Sequence, residues 1–339
     1  MRIVGLQDFA MAAQAWLDES TSVSWLRAFE RLAAEGGHEA HAVLREHTHD
    51  YYAMEQPTRG VGYVFTKAHG KRLAEAVCRL RPDVVMYNCC YYARLPELMA
   101  VVRQQLPSAV QVVRTHHEVR RVLPRPLLAA VLANADHVIV STDADWEYVV
   151  GSGGLPSSHS VIPFGVDVPY YCCQAHAAQQ AGGLDFAASC SGNPVKNLPL
   201  LKAVFAELAG RGYSTCNILG QPKAQYARLL QSARVYFSTS TSEASGSRSL
   251  LEAYACGAYP VVAAECVSAC EVVGKLGRGQ VVDTASASAA AIADRLEAVL
   301  ASLPPARSSP AAQQLTDYGE EQEVRALVSA IQGQAARAC

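Results

Sequence analysis

No apolar run in the chain approaches the roughly 18 residues that a membrane-crossing helix requires, so no transmembrane helix is expected. The apolar start, Met1-Arg2-Ile3-Val4-Gly5-Leu6, meets Gln7 and Asp8 almost at once. A secretory signal needs a longer apolar stretch and a small-residue cleavage site. The expectation is therefore a buried first strand in a cytoplasmic protein. Charge of one sign is also missing. Lys and Arg number 29 against 31 Asp and Glu, a net charge of −2. A general nucleic-acid binder carries a basic excess or a basic stripe, so no nucleic-acid partner is expected. The 11 cysteines lack paired C-x-x-C spacing and any Cys/His zinc pattern. Cys89-Cys90 and Cys172-Cys173 are adjacent, and Cys266 and Cys270 stand four apart. They read as reduced, mostly buried thiols. His47 and His49 have metal-like spacing without a partner cluster, and no metal site is expected. No short-period internal repeat occurs.

What is present is enough apolar material for two cores. Half of the 339 residues are hydrophobic and 18% are charged, a composition and length suited to two domains of ordinary size. Short β-rich runs alternate with helical patterns throughout. Strands are predicted at Arg2–Leu6, His38–Leu44, Asp83–Tyr87, Val110–Thr115 and His137–Ser141, with Val161-Ile162-Pro163 closing the first series. Helices between them are predicted at Val23–Glu35, Lys71–Leu80, Leu95–Gln105 and Pro126–Ala133. The second half repeats the alternation. Its strands fall at Leu184–Ser189, Asn217–Leu219, Val235–Ser238, Tyr259–Ala263 and Val281-Val282. Its helices fall at Leu198–Ala209, Ala224–Ala233, Ser249–Cys256 and Ala287–Leu303. Such alternation predicts parallel sheets covered by helices on both faces. The fold class expected is α/β, with two doubly wound, Rossmann-like domains facing across a cleft. The join is placed at Pro163–Asp167, giving domains over residues 1–165 and 166–310. Residues 311–339 form the end of a linker and a terminal helix that returns toward the first domain.

One segment concentrates the chemistry. Between Thr241 and Gly257 a strand ends, a small-residue loop (Ser245-Gly246-Ser247) follows, and a helix begins. Backbone N–H groups of such a loop can approach an anion closely, and the helix N-terminus adds partial positive charge. Arg248 can fork onto phosphate oxygens. A carboxylate at Glu252 can accept from ribose hydroxyls. Glu243 can orient a sugar hydroxyl. Together these residues make a phosphate-and-sugar cradle; a capped helix with solvated charges is the plainer alternative.

The run Leu251-Glu252-Ala253-Tyr254-Ala255-Cys256-Gly257, with Pro260-Val261-Val262 behind it, resembles the donor-binding signature of the family 4 retaining glycosyltransferases. Those enzymes have the GT-B fold. Other segments resemble the family in matching order: Gly36-Gly37-His38, Arg81-Pro82-Asp83-Val84-Val85, Ala135–Ser141, Val161–Asp167 and Gly192-Asn193-Pro194-Val195-Lys196-Asn197. Three departures stand out. Eight residues separate Glu243 from Glu252, one more than the family usually has. Asn193 stands where the family has an arginine, with Arg248 the candidate substitute. The interval between Lys196 and the strand before Ser240 is short for the family.

The resemblance implies retaining transfer of a sugar from a nucleotide-diphosphate sugar to an acceptor it does not identify, with no cofactor beyond the donor and no obligatory metal. Gly192, Lys196, Ser245, Gly246, Ser247, Arg248 and Glu252 would bind the donor. His116 and Glu243 would be catalytic, with His117 an alternative to His116. Asp143-Ala144-Asp145 reads as a helix start rather than a metal motif. The apolar run from Leu123 to Leu132, bordered by Arg120, Arg121 and Arg125, reads as a core helix. Peripheral contact at the inner face of a membrane is the other reading of that run. The rival function is a non-catalytic nucleotide-sugar binder or partner subunit on the same fold.

Overall fold

The β-rich runs of the first half form one parallel sheet in the computed structural model. The structure describes residues 1–7, 24–45, 60–66, 70–88, 94–115, 124–153, 156–174, 183–243, 247–304 and 312–338. Contacts divide the chain into two compact units, Met1–Pro163 with Glu321–Cys339, and Phe164–Glu320.

The strands of the first unit are β1 (Arg2–Gln7), β2 (Glu39–Arg45), β3 (Val61–Thr66), β4 (Val84–Asn88), β5 (Val110–Arg114), β6 (His137–Val140) and β7 (Ser158–Val161). They lie in the order β3-β2-β1-β4-β5-β6-β7, and every neighbouring pair is parallel. The central strands β4 and β5 are buried along their whole length, as a parallel sheet covered on both faces requires. Alternation sorts their side chains. Val85 and Tyr87 enter one core with Leu98 and Val102, whereas Val84 and Met86 enter the other with Trp25, Phe29, Leu327 and Ile331. Gly5 is sterically required in β1, because a Cβ there would come within 2.2 Å of the Trp25 ring. The terminal helix, Glu320–Ala338, contributes Leu327 and Ile331 to this core. Leu128, Val131 and Leu132 of the helix Arg125–Leu132 are buried as well, so its apolar face belongs to the core. Asp143 and Asp145 occupy the first turn of the helix Asp143–Val150, where Thr142 caps the Asp145 N–H at 3.2 Å.

The second unit holds β8 (Leu184–Ala188), β9 (Thr215–Asn217), β10 (Ala233–Ser238), β11 (Tyr259–Ala263) and β12 (Gln280–Val282), in the order β12-β11-β10-β8-β9. The helix Leu198–Gly210 buries Leu201, Val204, Phe205 and Leu208, four of the five apolar positions its periodicity singles out, and Leu198 is partly buried. Four elements differ from the sequence expectation. β9 ends at Asn217; Ile218 is fully buried beyond it, and Leu219 is exposed. β3 was not expected, since Gly60 and Gly62 interrupt its apolar run. The helices Val168–Gln174 and Val267–Leu276 were not expected either, being short and rich in residues with little polar contrast. The second unit also continues past residue 310. A 3₁₀ segment, Ala312–Tyr318, packs Leu315 and Tyr318 into its core, and Gly319 bridges Val166. Among the described residues no helix is long and apolar enough to cross a membrane.

Candidate functional site

Numbered within the second unit, its strand order is 2-1-3-4-5, and the direction of winding reverses between β8 and β10. Ligands of doubly wound sheets bind outside the carboxyl ends of the strands at this reversal. The chain leaving β8 carries Gly192 and Lys196; the chain leaving β10 carries Glu243, Ser247, Arg248 and Glu252. The topology thus brings Gly192, Lys196, Glu243, Ser247, Arg248 and Glu252 to the carboxyl-end side of this reversal.

Local hydrogen bonds fix the β8 side. Asn193 accepts the Val195 N–H at 3.2 Å and starts a 3₁₀ turn, Pro194–Lys196. Asn197 then adopts a left-handed conformation, φ 53° and ψ 49°, before the next helix. The Thr239 hydroxyl donates to Lys196 O at 2.8 Å, and Thr241 N donates to Val195 O at 2.7 Å. The Cys190 thiol, pushed up in pKa chiefly by burial, also donates to Lys196 O at 3.2 Å. These contacts lash the turn to the segment after β10. A Cβ at Gly192 would meet nothing within 4 Å, so the space beside it is open.

Across the reversal, Lys196 Nζ meets Glu243 Oε1. The lysine side chain is 22% exposed and the glutamate side chain 9%. Ser247 precedes the helix Arg248–Ala255 with φ 85° and caps it, accepting from Leu250 N at 3.4 Å. Its hydroxyl contacts Ser249 Oγ at 2.7 Å, and Ser249 in turn accepts from the Tyr236 phenol at 2.7 Å. Arg248 Nε and Glu252 Oε1 are 3.9 Å apart on successive turns of the helix. Burial first, and then the Glu252 carboxylate, pushes the Tyr171 and Tyr226 phenols well above their ordinary pKa. Both remain protonated donors beside that carboxylate. The site therefore offers two cations, two carboxylates and phenolic donors, a set able to hold a phosphorylated, hydroxyl-rich ligand.

His116, its alternative His117, Ser245 and Gly246 lie outside the described residues. In the first unit, Arg114 closes β5 two positions before His116 and is paired with Glu323, both being buried. Ser24 Oγ donates to the same carboxylate at 2.5 Å. Sequence reasoning did not single out Tyr171, Tyr226 or Ser268, which donates to the Glu243 carbonyl. Each acts across the fold with no pattern in the chain to mark it.

Residues 194–322 match the family described as glycosyl transferases group 1. No curated protein matches the chain in sequence. In structure the chain is similar to Anabaena HepE in complex with UDP-glucose, with a TM-score of 0.62 at 14% identity over 99% of this chain and 98% of that one. It is similar to the α,α-trehalose 6-phosphate synthase of Burkholderia multivorans, with a TM-score of 0.70 at 13% identity over 99% and 97%. It is also similar to the sucrose-phosphate synthase of Thermosynechococcus elongatus, with a TM-score of 0.65 at 15% identity over 99% and 96%. At these identities the likeness shows the fold.

Proposed function

We propose that this glycosyltransferase of GT-B fold, whose group 1 match covers Lys196, Glu243, Arg248 and Glu252, transfers a sugar from a nucleotide-diphosphate donor with retention of configuration. The observation that carries this reading is the meeting of Lys196 and Glu243 across the strand reversal of the second unit. Lys196 and Arg248, with the N–H groups at the start of the helix Arg248–Ala255, neutralise charge that develops on the departing diphosphate. Side-chain cations do this work in the proposal, without a metal ion. Glu252 accepts from the ribose hydroxyls, and the neighbouring Tyr171 phenol keeps it hydrogen-bonded. Glu243 orients the transferred sugar, and His116 is retained as the second catalytic group. The proposal sets the reaction in the cytoplasm, and the free, buried thiols of Cys78 and Cys190 suit a reducing compartment.

A thermal-shift screen against UDP, GDP, dTDP and ADP sugars tests it. A donor present at 100 times its Kd stabilises the protein by about 2.7 kcal/mol. One donor class is expected to raise Tm, and Lys196→Ala and Glu252→Ala are each expected to abolish that rise. An anomeric assignment of the product by NMR then decides retention. A shift that survives both substitutions removes the donor site from this reversal.

A further inference from the structure

Glu243 is gripped from a third element. Ser268, the second residue of the helix Val267–Leu276 that follows β11, is fully buried, and its hydroxyl donates to Glu243 O at 2.5 Å. A serine at the second position of a helix has no helical carbonyl three or four residues before it to take its hydroxyl. This one reaches 25 positions back along the chain to a loop carbonyl. Segments following β8, β10 and β11 thus converge on a single residue, whose main chain is fixed by Ser268 and whose carboxylate closes on Lys196.

We infer that Ser268 is a positioning residue of the donor site, holding the Glu243 carboxylate against Lys196 so that a diphosphate must displace it to reach the ammonium. The inference rests on Lys196 being a diphosphate ligand, as proposed above. In the free protein the Lys196–Glu243 pair is neutral and largely buried, so the ammonium is not an open anion site. An arriving diphosphate takes the ammonium and repels the carboxylate. The carboxylate swings away on its side-chain bonds while its carbonyl stays pinned under Ser268. It is then free to meet a hydroxyl of the donor sugar, and it returns to Lys196 when the nucleotide leaves. Binding and release are coupled in this way through one pinned residue.

Calorimetric titration of the full chain with inorganic pyrophosphate tests this without knowledge of the sugar. Glu243→Gln removes the competing charge and is expected to tighten pyrophosphate binding about tenfold, the scale of one charge-assisted contact. Lys196→Ala is expected to weaken it by at least as much. Ser268→Ala lets the carboxylate wander and is expected to tighten binding severalfold in the wild-type background, yet to add nothing on top of Glu243→Gln. Ser268→Thr, which keeps the hydroxyl, is expected to behave as wild type. Should Ser268→Ala compromise folding, Ser268→Cys keeps the volume with a weak donor and replaces it. A Ser268→Ala titration identical to wild type overturns the inference. So does an equal change with and without the Glu243 carboxylate, which marks a merely structural role. If Lys196→Ala binds pyrophosphate as wild type does, or if neither wild type nor Glu243→Gln binds it, the donor-site reading itself fails and takes the inference with it.

Discussion

Replacing Glu323 by alanine leaves the Arg114 guanidinium inside the first unit without its carboxylate. Both side chains are 1% exposed, so water cannot take the place of the lost partner. The hydrogen bond from the Ser24 hydroxyl to Glu323 is lost in the same step. Removing one member of a buried ion pair costs about 3–5 kcal/mol, and the lost Ser24 hydrogen bond adds about 1 kcal/mol. For a unit of this size each kcal/mol lowers the transition by about 2–4 °C, so the ion-pair term alone predicts a fall of roughly 6–20 °C. The pair joins the end of β5, the start of the helix Ser24–Gly36 and the first turn of the terminal helix. The early-melting part of the protein should therefore include that terminal helix. Scanning calorimetry reads the transition, and hydrogen exchange locates it. Arg114→Leu combined with Glu323→Leu removes both charges, and such replacements are often neutral or stabilising. The double variant is therefore expected to recover most of the loss. A Glu323→Ala protein that melts within about 2 °C of wild type refutes the reasoning. A double variant as unstable as the single one refutes it equally.

Two further outcomes follow from local geometry and charge. Ser247 holds φ 85° while capping its helix. Ser247→Gly should therefore relieve strain of about 1 kcal/mol at a loss of only a few tenths in capping, whereas Ser247→Ala keeps the strain and loses about 1 kcal/mol of cap; urea midpoints in the order Gly, Ser, Ala from most to least stable are expected, and the reverse order contradicts the left-handed assignment. Hydrogen bonds from Arg2 hold Glu39, those from Arg31 hold Glu321, that from Tyr213 holds Glu297 and that from Ser286 holds Asp283, each below the usual carboxylate range. Because folding lowers these pKa values, their contribution is present above the unfolded value near pH 4 and is lost as pH falls through the lower folded values; a denaturation series from pH 6 to pH 2 should steepen below about pH 4, and a flat profile there contradicts these assignments.

The alternation of the fold was legible because buried parallel strands are short and apolar, and the helices between them carry clear periodicity. Leu198–Gly210 shows this well, with five apolar positions spaced for one face, four of them buried and Leu198 partly so. Where that contrast fades, so does the signal. Val267–Leu276 mixes Ser268, Ala269, Cys270 and Gly274 among its apolar residues, and its burial is decided by what packs on it. The 3₁₀ segment Ala312–Tyr318 belongs to the second unit only because Leu315 and Tyr318 find a core there, which no local pattern announces. β3 follows the same logic at a sheet edge, where a partner strand supplies what its glycine-interrupted sequence lacks.

At the candidate site, chain order carried one part of the information and topology the other. The helix starting at Arg248 was legible in the small-residue loop before it and the Leu-Glu-Ala run within it. The role of the extra residue between Glu243 and Glu252 was not. Glu252 is fixed by the helix, four positions from Arg248. Glu243 is fixed independently, by Lys196 at its carboxylate and Ser268 at its carbonyl. Ser247, with its positive φ, turns the chain into the helix that carries Glu252. Spacing along a chain is a proxy for distance only when the intervening segment is regular. Here each carboxylate has its own anchor, Glu243 through Lys196 and Ser268 and Glu252 through its helix, so the number of residues between them does not by itself set where they stand.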